Sequence, residues 1–341
     1  MIGITGTNGK STVTALAGAM GEAAGLRTVV AGNIGLPVLE AIDSPEGGRA
    51  QLFVLELSSY QLETTSSLHL DAAAMLNLTQ DHLDRYDGME GYAAAKARIF
   101  LHCDRRVVNR DDEWSRGMAD ARAFSFGLGV PRSRDEWGMD EARTTLRHGN
   151  AWILPVEEMP MRGLHNAANA LAAHALLTAV DAPPAALARA LRTFTGLPHR
   201  VQLVATAHGV KFFDDSKGTN VGATVAALAG MREPVVLIAG GDGKGQDFTP
   251  LAPAVAGKAR AVVLIGRDGP AIGRALEGAG VAIERAGSME QAVETAFELA
   301  RDGDAVLLSP ACASFDMFRD YKQRGDVFAE AARAIAERTT H

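Results

Sequence analysis

Cysteine is nearly absent: Cys103 and Cys312 are the only two in 341 residues, too few for a disulfide framework or a thiolate metal site. That usage points to a reducing cytoplasm and to two apolar fillers. No apolar run approaches the roughly 20 residues of a membrane-spanning helix, and the chain reads as having no secretory leader, so membrane insertion is not expected. Long basic runs are missing as well. With 34 Lys and Arg against 41 Asp and Glu the net charge is -7, which argues against a nucleic-acid surface but leaves room for a local phosphate site. Aromatic residues are sparse at 6%, yet 47% hydrophobic and 22% charged residues are ordinary for a globular chain. There is no internal repeat and no low-complexity tract, and the length suffices for about two domains with full cores.

What is present begins at once. Met1, Ile2 and Ile4 can end a β-strand, and Gly6-Thr7-Asn8-Gly9-Lys10-Ser11-Thr12 then turns into an alanine-rich helix to about Ala24. Glycines let backbone N–H groups approach phosphate oxygens, the helix N-terminus adds partial positive charge, Lys10 reaches the outer phosphates and Ser11 offers a hydroxyl to Mg²⁺. Ile4 stands where the general phosphate-loop pattern has its first glycine, so this is a variant.

Apolar strand-like runs alternate with helical patterns, which predicts α/β architecture with parallel sheets. The runs are Thr28 to Ala31, Leu52 to Leu57, Ala72 to Leu78 and Val107-Val108, then a β-rich excursion between Arg110 and Met161 and a helix from Asn166 to Val180. Gly196-Leu197-Pro198-His199 is the expected linker, dividing a domain over 1–196 from one over 197–341. A second series follows: Val210 to Phe213, Val235 to Ala239, Ala261 to Ile265, a run near Val281, and Ala305 to Leu308.

In open α/β sheets ligands sit at the carboxyl ends of strands, and the polar residues cluster there. Glu56 ends one run and Asp81-His82 follows another, beside the phosphate loop. A hard cation bridging phosphates needs only one or two carboxylates, waters and a hydroxyl. Taken alone, Glu56 reads as a capping or surface acid and His82 as a loop histidine; at consecutive strand ends they read as ligands. In the second series, Asp214-Asp215-Ser216-Lys217-Gly218-Thr219-Asn220, Gly240-Gly241-Asp242-Gly243-Lys244 and Ser309-Pro310-Ala311-Cys312-Ala313-Ser314 each follow a strand, the last at the start of a helix carrying Phe318 and Tyr321. Lysines, a hydroxyl and a helix N-terminus suit a carboxylate substrate, whereas Lys217 or Lys244 alone reads as a solvated loop charge.

These motifs, with Gly32-Asn33-Ile34-Gly35, Leu55-Glu56-Leu57-Ser58-Ser59-Tyr60-Gln61-Leu62, Asp81-His82-Leu83-Asp84-Arg85-Tyr86, His165-Asn166 and Gly196-Leu197-Pro198-His199-Arg200, resemble the Mur ligases of peptidoglycan synthesis along the whole chain. The Leu-Ser-Ser-Tyr-Gln-Leu and Ser-Pro-Ala-Cys-Ala-Ser stretches are similar to the member that adds D-glutamate to UDP-N-acetylmuramoyl-L-alanine. The resemblance implies a central domain like phosphate-loop ATPases, a C-terminal Rossmann-like domain binding the amino acid, and a cytoplasmic monomer. The family also has a separate N-terminal domain gripping the uridine diphosphate; this chain starts at the family's second domain, so weaker hold on that substrate is expected. Sibling Mur or folylpolyglutamate-type ligases, and an ATP-binding remnant without ligation, stay open as alternatives.

The resemblance further implies an acyl phosphate made with ATP and attacked by the D-glutamate amine. Gly6, Thr7, Asn8, Gly9, Lys10, Ser11 and Thr12 would cradle the phosphates, with Asn169, Arg200 and Asp215 on the nucleotide. Ser11, Glu56, His82 and Lys96 would hold two Mg²⁺ ions, the last as a carbamylated lysine. Asn33 and His82 would face the reacting groups, and Lys217, Thr219, Lys244, Ser314 and Tyr321 would serve D-glutamate. On its own residues, Lys96 in Tyr92-Ala93-Ala94-Ala95-Lys96 is only a solvent-facing charge on an alanine-rich helix.

Overall fold

A computed structural model describes residues 1–82, 85–161 and 163–339; Leu83 and Asp84 of the Asp81–Tyr86 motif lie outside them. The chain divides into two compact units, one spanning Met1–Gly196 and one from Leu197 onward.

The first unit holds strands β1 (Ile2–Thr5), β2 (Thr28–Gly32), β3 (Leu52–Glu56), β4 (Leu70–Met75), β5 (Cys103–Asn109), β6 (Phe124–Phe126), β7 (Glu136–Met139), β8 (Thr145–His148) and β9 (Ala151–Pro155), in spatial order 2-3-1-4-5-6-7-8-9. Strands up to β7 pair in parallel, and β7 to β9 are antiparallel. Its helices are α1 (Lys10–Ala23), α2 (Val38–Asp43), α3 (Ser59–Thr64), α4 (Gly88–Ala97), α5 (Glu113–Arg116), α6 (Leu164–Thr178) and α7 (Pro184–Thr193).

β1 is wholly buried, as a strand covered on both faces must be. On one face Val13, Leu16, Ala17 and Met20 of α1 join Leu171, Leu176 and Leu177 of α6 in a core with Ile2 and Ile4; Leu55, Leu62, Ala73, Met75 and Ile99 form a separate core cluster. The consequence for chemistry is the register. Ile4 lies opposite Glu56, Gly32 opposite Glu56, and Thr5 opposite Met75, so the ends of β2, β3, β1 and β4 share one sheet edge. The excursion after β5 contains strands β7 and β8 in addition to the runs legible as Phe124–Phe126 and Trp152–Leu154.

The second unit holds β10 (Gln202–Ala207), β11 (Val210–Asp214), β12 (Val235–Gly240), β13 (Ala259–Ile265), β14 (Ala282–Arg285) and β15 (Ala305–Leu308), in order 10-11-15-12-13-14, with β10 alone antiparallel. Helices α8 (Val221–Gly230), α9 (Leu251–Lys258), α10 (Gly269–Ala275), α11 (Met289–Leu299) and α12 (Tyr321–Thr339) complete it. α12 begins at Tyr321, so Phe318 belongs to the preceding turn, where its amide donates to the Ser314 carbonyl at 2.8 Å. Strand order reverses between β12 and β15, which puts the loops after Gly240 and Leu308 at the switch point. Cys312 is buried and Cys103 half-buried; burial pushes their thiols up to about 12 and about 11, so both stay protonated. No helix among the described residues is long and apolar enough to cross a membrane.

Candidate active site

The loop between β1 and α1 is built for an anion. Gly9 caps α1 at φ +85, its side-chain-free position makes no side-chain cap hydrogen bond, and the first turn carries no acid, an arrangement that suits an anion at a helix N-terminus. A Cβ on Gly9 would come within 2.6 Å of Asn169 Oδ1, so Asn169 on α6 lies directly against the loop. Lys10 Nζ donates to the carbonyls of Gly6 and Thr7, 2.8 Å each. Thr7, Ser11 and Thr12 are buried.

The loop is clamped by residues that the sequence did not single out. The Asn77 side chain accepts from the Asn8 amide at 2.8 Å and donates to the Asn8 carbonyl at 3.0 Å, while the Thr7 amide donates to the Asn77 carbonyl at 2.9 Å. The Thr79 amide donates to Thr7 Oγ1 at 3.1 Å. Their signal was present: two polar residues directly after β4, on the edge where β1 also ends.

Glu56 is 2% exposed. Its Oε1 accepts from Asn33 Nδ2 at 2.8 Å, and its backbone carbonyl accepts from the Asn33 amide at 2.8 Å. Among the described residues, its Oε2 is buried with no hydrogen-bond partner. An orphaned buried carboxylate oxygen is costly unless a cation completes it, and an oxygen donor suits Mg²⁺. Among the described residues no three His, Cys, Asp or Glu groups gather as an all-protein metal cage. The carboxylate is therefore an interior group, not a surface acid.

Lys96 corrects the reading of a solvent-facing charge. It is 1% exposed, and its Nζ donates to the Gly6 carbonyl at 2.9 Å and to Thr5 Oγ1 at 3.4 Å, with the Tyr92 ring centroid 4.9 Å away. Lys10 and Lys96 thus share one carbonyl oxygen. Burial first, then the Lys10 charge, depress the Lys96 amine well below the ordinary lysine range, against the opposing pull of Asp81 and Glu56. His82 adopts a left-handed backbone at φ +55, and its Nδ1 is 2.8 Å from the Tyr60 hydroxyl.

In the second unit Lys217 and Tyr321 come together: the ammonium lies 3.9 Å from the ring centroid, a cation–π contact. Lys217 is thus not a free loop charge. Asp215 is buried, accepts from Ser309 Oγ at 2.7 Å, and is pushed up to about 7, chiefly by burial, with Ser309 and Arg200 opposing. Thr219 follows, its amide donating to the Lys217 carbonyl at 2.9 Å, and Ser314 is buried. Lys244 is exposed at φ +50; its amide donates to Asp242 Oδ1 at 3.0 Å. Two further groups emerge only in three dimensions. Arg324, 1% exposed, donates to Ser216 Oγ at 2.9 Å, the Ser216 carbonyl at 2.8 Å and the Cys312 carbonyl at 3.0 Å, tying together the loops after β11 and β15. His199 Nδ1 pairs with buried Asp214 at 2.6 Å.

Comparison with known proteins covers both units. Residues 4–177 match the Mur ligase middle domain and residues 199–312 the Mur ligase glutamate ligase domain. The UDP-N-acetylmuramoylalanine--D-glutamate ligase of Methylobacillus flagellatus is 56% identical, over 99% of this chain and 75% of its own length. The protein of the same name from Thiobacillus denitrificans is 57% identical, over 98% of this chain and 72% of its own length. Among solved structures, MurF from Acinetobacter baumannii superposes with a TM-score of 0.74 at 19% identity, covering 97% of this chain and 76% of that one.

Proposed function

Because this chain belongs to the Mur ligase family, we propose that it is an ATP-dependent amide ligase joining D-glutamate to UDP-N-acetylmuramoyl-L-alanine in peptidoglycan precursor synthesis. The observation that carries this reading is the partnerless Glu56 Oε2 buried at the edge where an uncapped phosphate loop leaves β1. A carboxylate and an ammonium do not condense unaided. The substrate carboxylate attacks the γ-phosphorus of ATP, ADP leaves, and the resulting acyl phosphate is attacked by the D-glutamate amine. Phosphate then departs and the nitrogen loses its proton. Mg²⁺ would neutralise charge on the phosphates.

The protein's own groups divide this work. The amides of the loop and of α1 bind the phosphates, with Lys10 as a point charge on the outer ones. Asn169, Arg200 and Asp215 hold the nucleotide. Glu56, Ser11 and His82 supply ligands for two Mg²⁺ ions, and Asn33, braced on Glu56, faces the reacting carboxylate. Lys217, Thr219, Lys244, Ser314 and Tyr321 receive D-glutamate. Lys96 is the remaining ligand, as a carbamate. Burial lowers the Lys96 amine well below the ordinary lysine range, which favours the unprotonated form whose lone pair attacks carbon dioxide; loss of the N–H proton leaves an anionic carbamate. The carbamate attracts Lys10, whereas a protonated Lys96 would be repelled by it. Substrates of this kind, ATP and a nucleotide-linked sugar, belong to the cytoplasm.

Phosphate release tests the reading. It is expected only when both D-glutamate and UDP-N-acetylmuramoyl-L-alanine accompany Mg-ATP, and to vanish in Lys10→Ala with the fold intact. Release that needs neither substrate would make the chain an ATP hydrolase, and dependence on another amino acid would make it a sibling ligase.

A further inference from the structure

An imidazole can present either nitrogen to a ligand, and what holds one decides which is offered. His82 is held at both levels. Its backbone is strained at φ +55, with its amide donating to Asp81 Oδ1 at 3.0 Å and its carbonyl accepting from the Arg85 amide at 3.0 Å. Its ring meets Tyr60 edge to face at 5.0 Å, with Nδ1 2.8 Å from the phenol oxygen.

Tyr60 is itself fixed. It sits in the first turn of α3, which a reciprocal Ser58–Gln61 capping box anchors. The Arg85 guanidinium lies 4.8 Å from its ring centroid, and the Tyr86 ring stacks on it at 6.4 Å and 19°. Arg85 also grips Glu63, one turn along α3, through bonds of 3.2 and 2.6 Å, and the Tyr86 hydroxyl donates to the same carboxylate. On its other side the His82 ring is 6.1 Å from Tyr92, whose hydroxyl is 3.3 Å from Thr7 Oγ1 in the phosphate loop. The tyrosine is thus a braced strut and not a loose surface ring, although it is 41% exposed.

We propose that Tyr60 is a positioning residue, whose hydroxyl holds His82 Nδ1 so that Nε2, which lies 3.7 Å from Asp81 Oδ2, is the nitrogen presented to Mg-ATP. This rests on the reading of His82 as a ligand. A ligating Nε2 lone pair requires the proton on Nδ1, donated to the Tyr60 oxygen. Outer partners of this kind, when removed, typically cost about 10- to 100-fold in metal affinity or activity.

The test is Tyr60→Phe in the full chain, which keeps the ring and its contact with Arg85 and removes only the hydroxyl. Nitrogen-15 imidazole spectra of the ligand-free protein, with the His82 signal identified by its loss in His82→Gln, should show one tautomer in the parent and a mixture in the variant. The KM for Mg²⁺ should rise and kcat fall, together about 10- to 100-fold, with the KM for D-glutamate and the melting temperature unchanged. If His82→Gln impairs the Mg²⁺ response while Tyr60→Phe leaves spectrum and kinetics unchanged, the positioning role is overturned and the ligand role of His82 stands. If neither variant alters the Mg²⁺ response, the ligand role of His82 is overturned, and the positioning role with it.

Discussion

Lys96 shows most plainly how one residue acquires chemistry from its surroundings. A lysine at 1% exposure, sharing the Gly6 carbonyl with Lys10, is electrostatically disfavoured as a cation, and its amine is depressed well below the ordinary lysine range. If it serves as a carbamate ligand, Lys96→Ala should lower ligase turnover by about 100-fold or more. Acetate or formate should restore part of it by supplying oxygens to the vacated space. Turnover of folded Lys96→Ala that no small carboxylate improves would remove the carbamate from the scheme. Lys10 differs in kind, because it sits at the loop's own helix start and its role is readable from spacing; Lys96 lies 86 positions further along the chain, and nothing local marks it.

At the scale of elements, both units end strands with a glycine that admits a neighbouring carbonyl. Gly32, at φ +114 as the last residue of β2, would place a Cβ 2.2 Å from the Glu56 carbonyl oxygen. Gly240, at φ +127 as the last residue of β12, would place one 1.9 Å from that of Ile265. The first junction matters for the site, since Asn33, the next residue, bonds to both the backbone and the side chain of Glu56. Gly32→Ala forces a side chain against backbone in a left-handed conformation, and should cost about 2 to 4 kcal/mol. For a unit of this size that is a fall of very roughly 4 to 16 °C in melting temperature, to be read by calorimetry. An unchanged transition would show that the β2–β3 junction relaxes freely.

At the scale of the molecule, two units have separate cores; the proposed phosphate loop lies in the first and the proposed D-glutamate residues in the second. Hydrogen exchange can address them one by one, because a ligand protects the backbone it orders. Mg²⁺ with a non-hydrolysable ATP analogue should slow exchange along β1 and the start of α1. D-Glutamate should slow it in residues 214–220 and 314–321 while leaving β1 and α1 at their free rates. Nucleotide that leaves the β1–α1 segment unprotected would overturn the assignment of the phosphate site to that loop.

What the sequence alone determined was everything carried by short-range backbone rules. The phosphate loop follows from Gly6 to Thr12 and the alternation that follows, the parallel sheets from apolar runs separated by helical periods, and the strand-end positions of Glu56, His82 and Lys217 from where those runs stop. The weak alternation of Glu136–Met139, Thr145–His148 and Gln202–Ala207 concealed three strands that each make an antiparallel pairing. Tertiary structure alone decided the contacts between distant segments: Asn77 locking Asn8, Tyr60 holding His82, Arg324 joining two loops, and Lys96 buried under Gly6. Each depends on which strand lies beside which and on the face a helix turns inward. Those choices are set by packing of the whole core, since a one-residue change of strand register sends every side chain to the opposite face. The residue types were therefore visible in one dimension, while their charge states and partners were not.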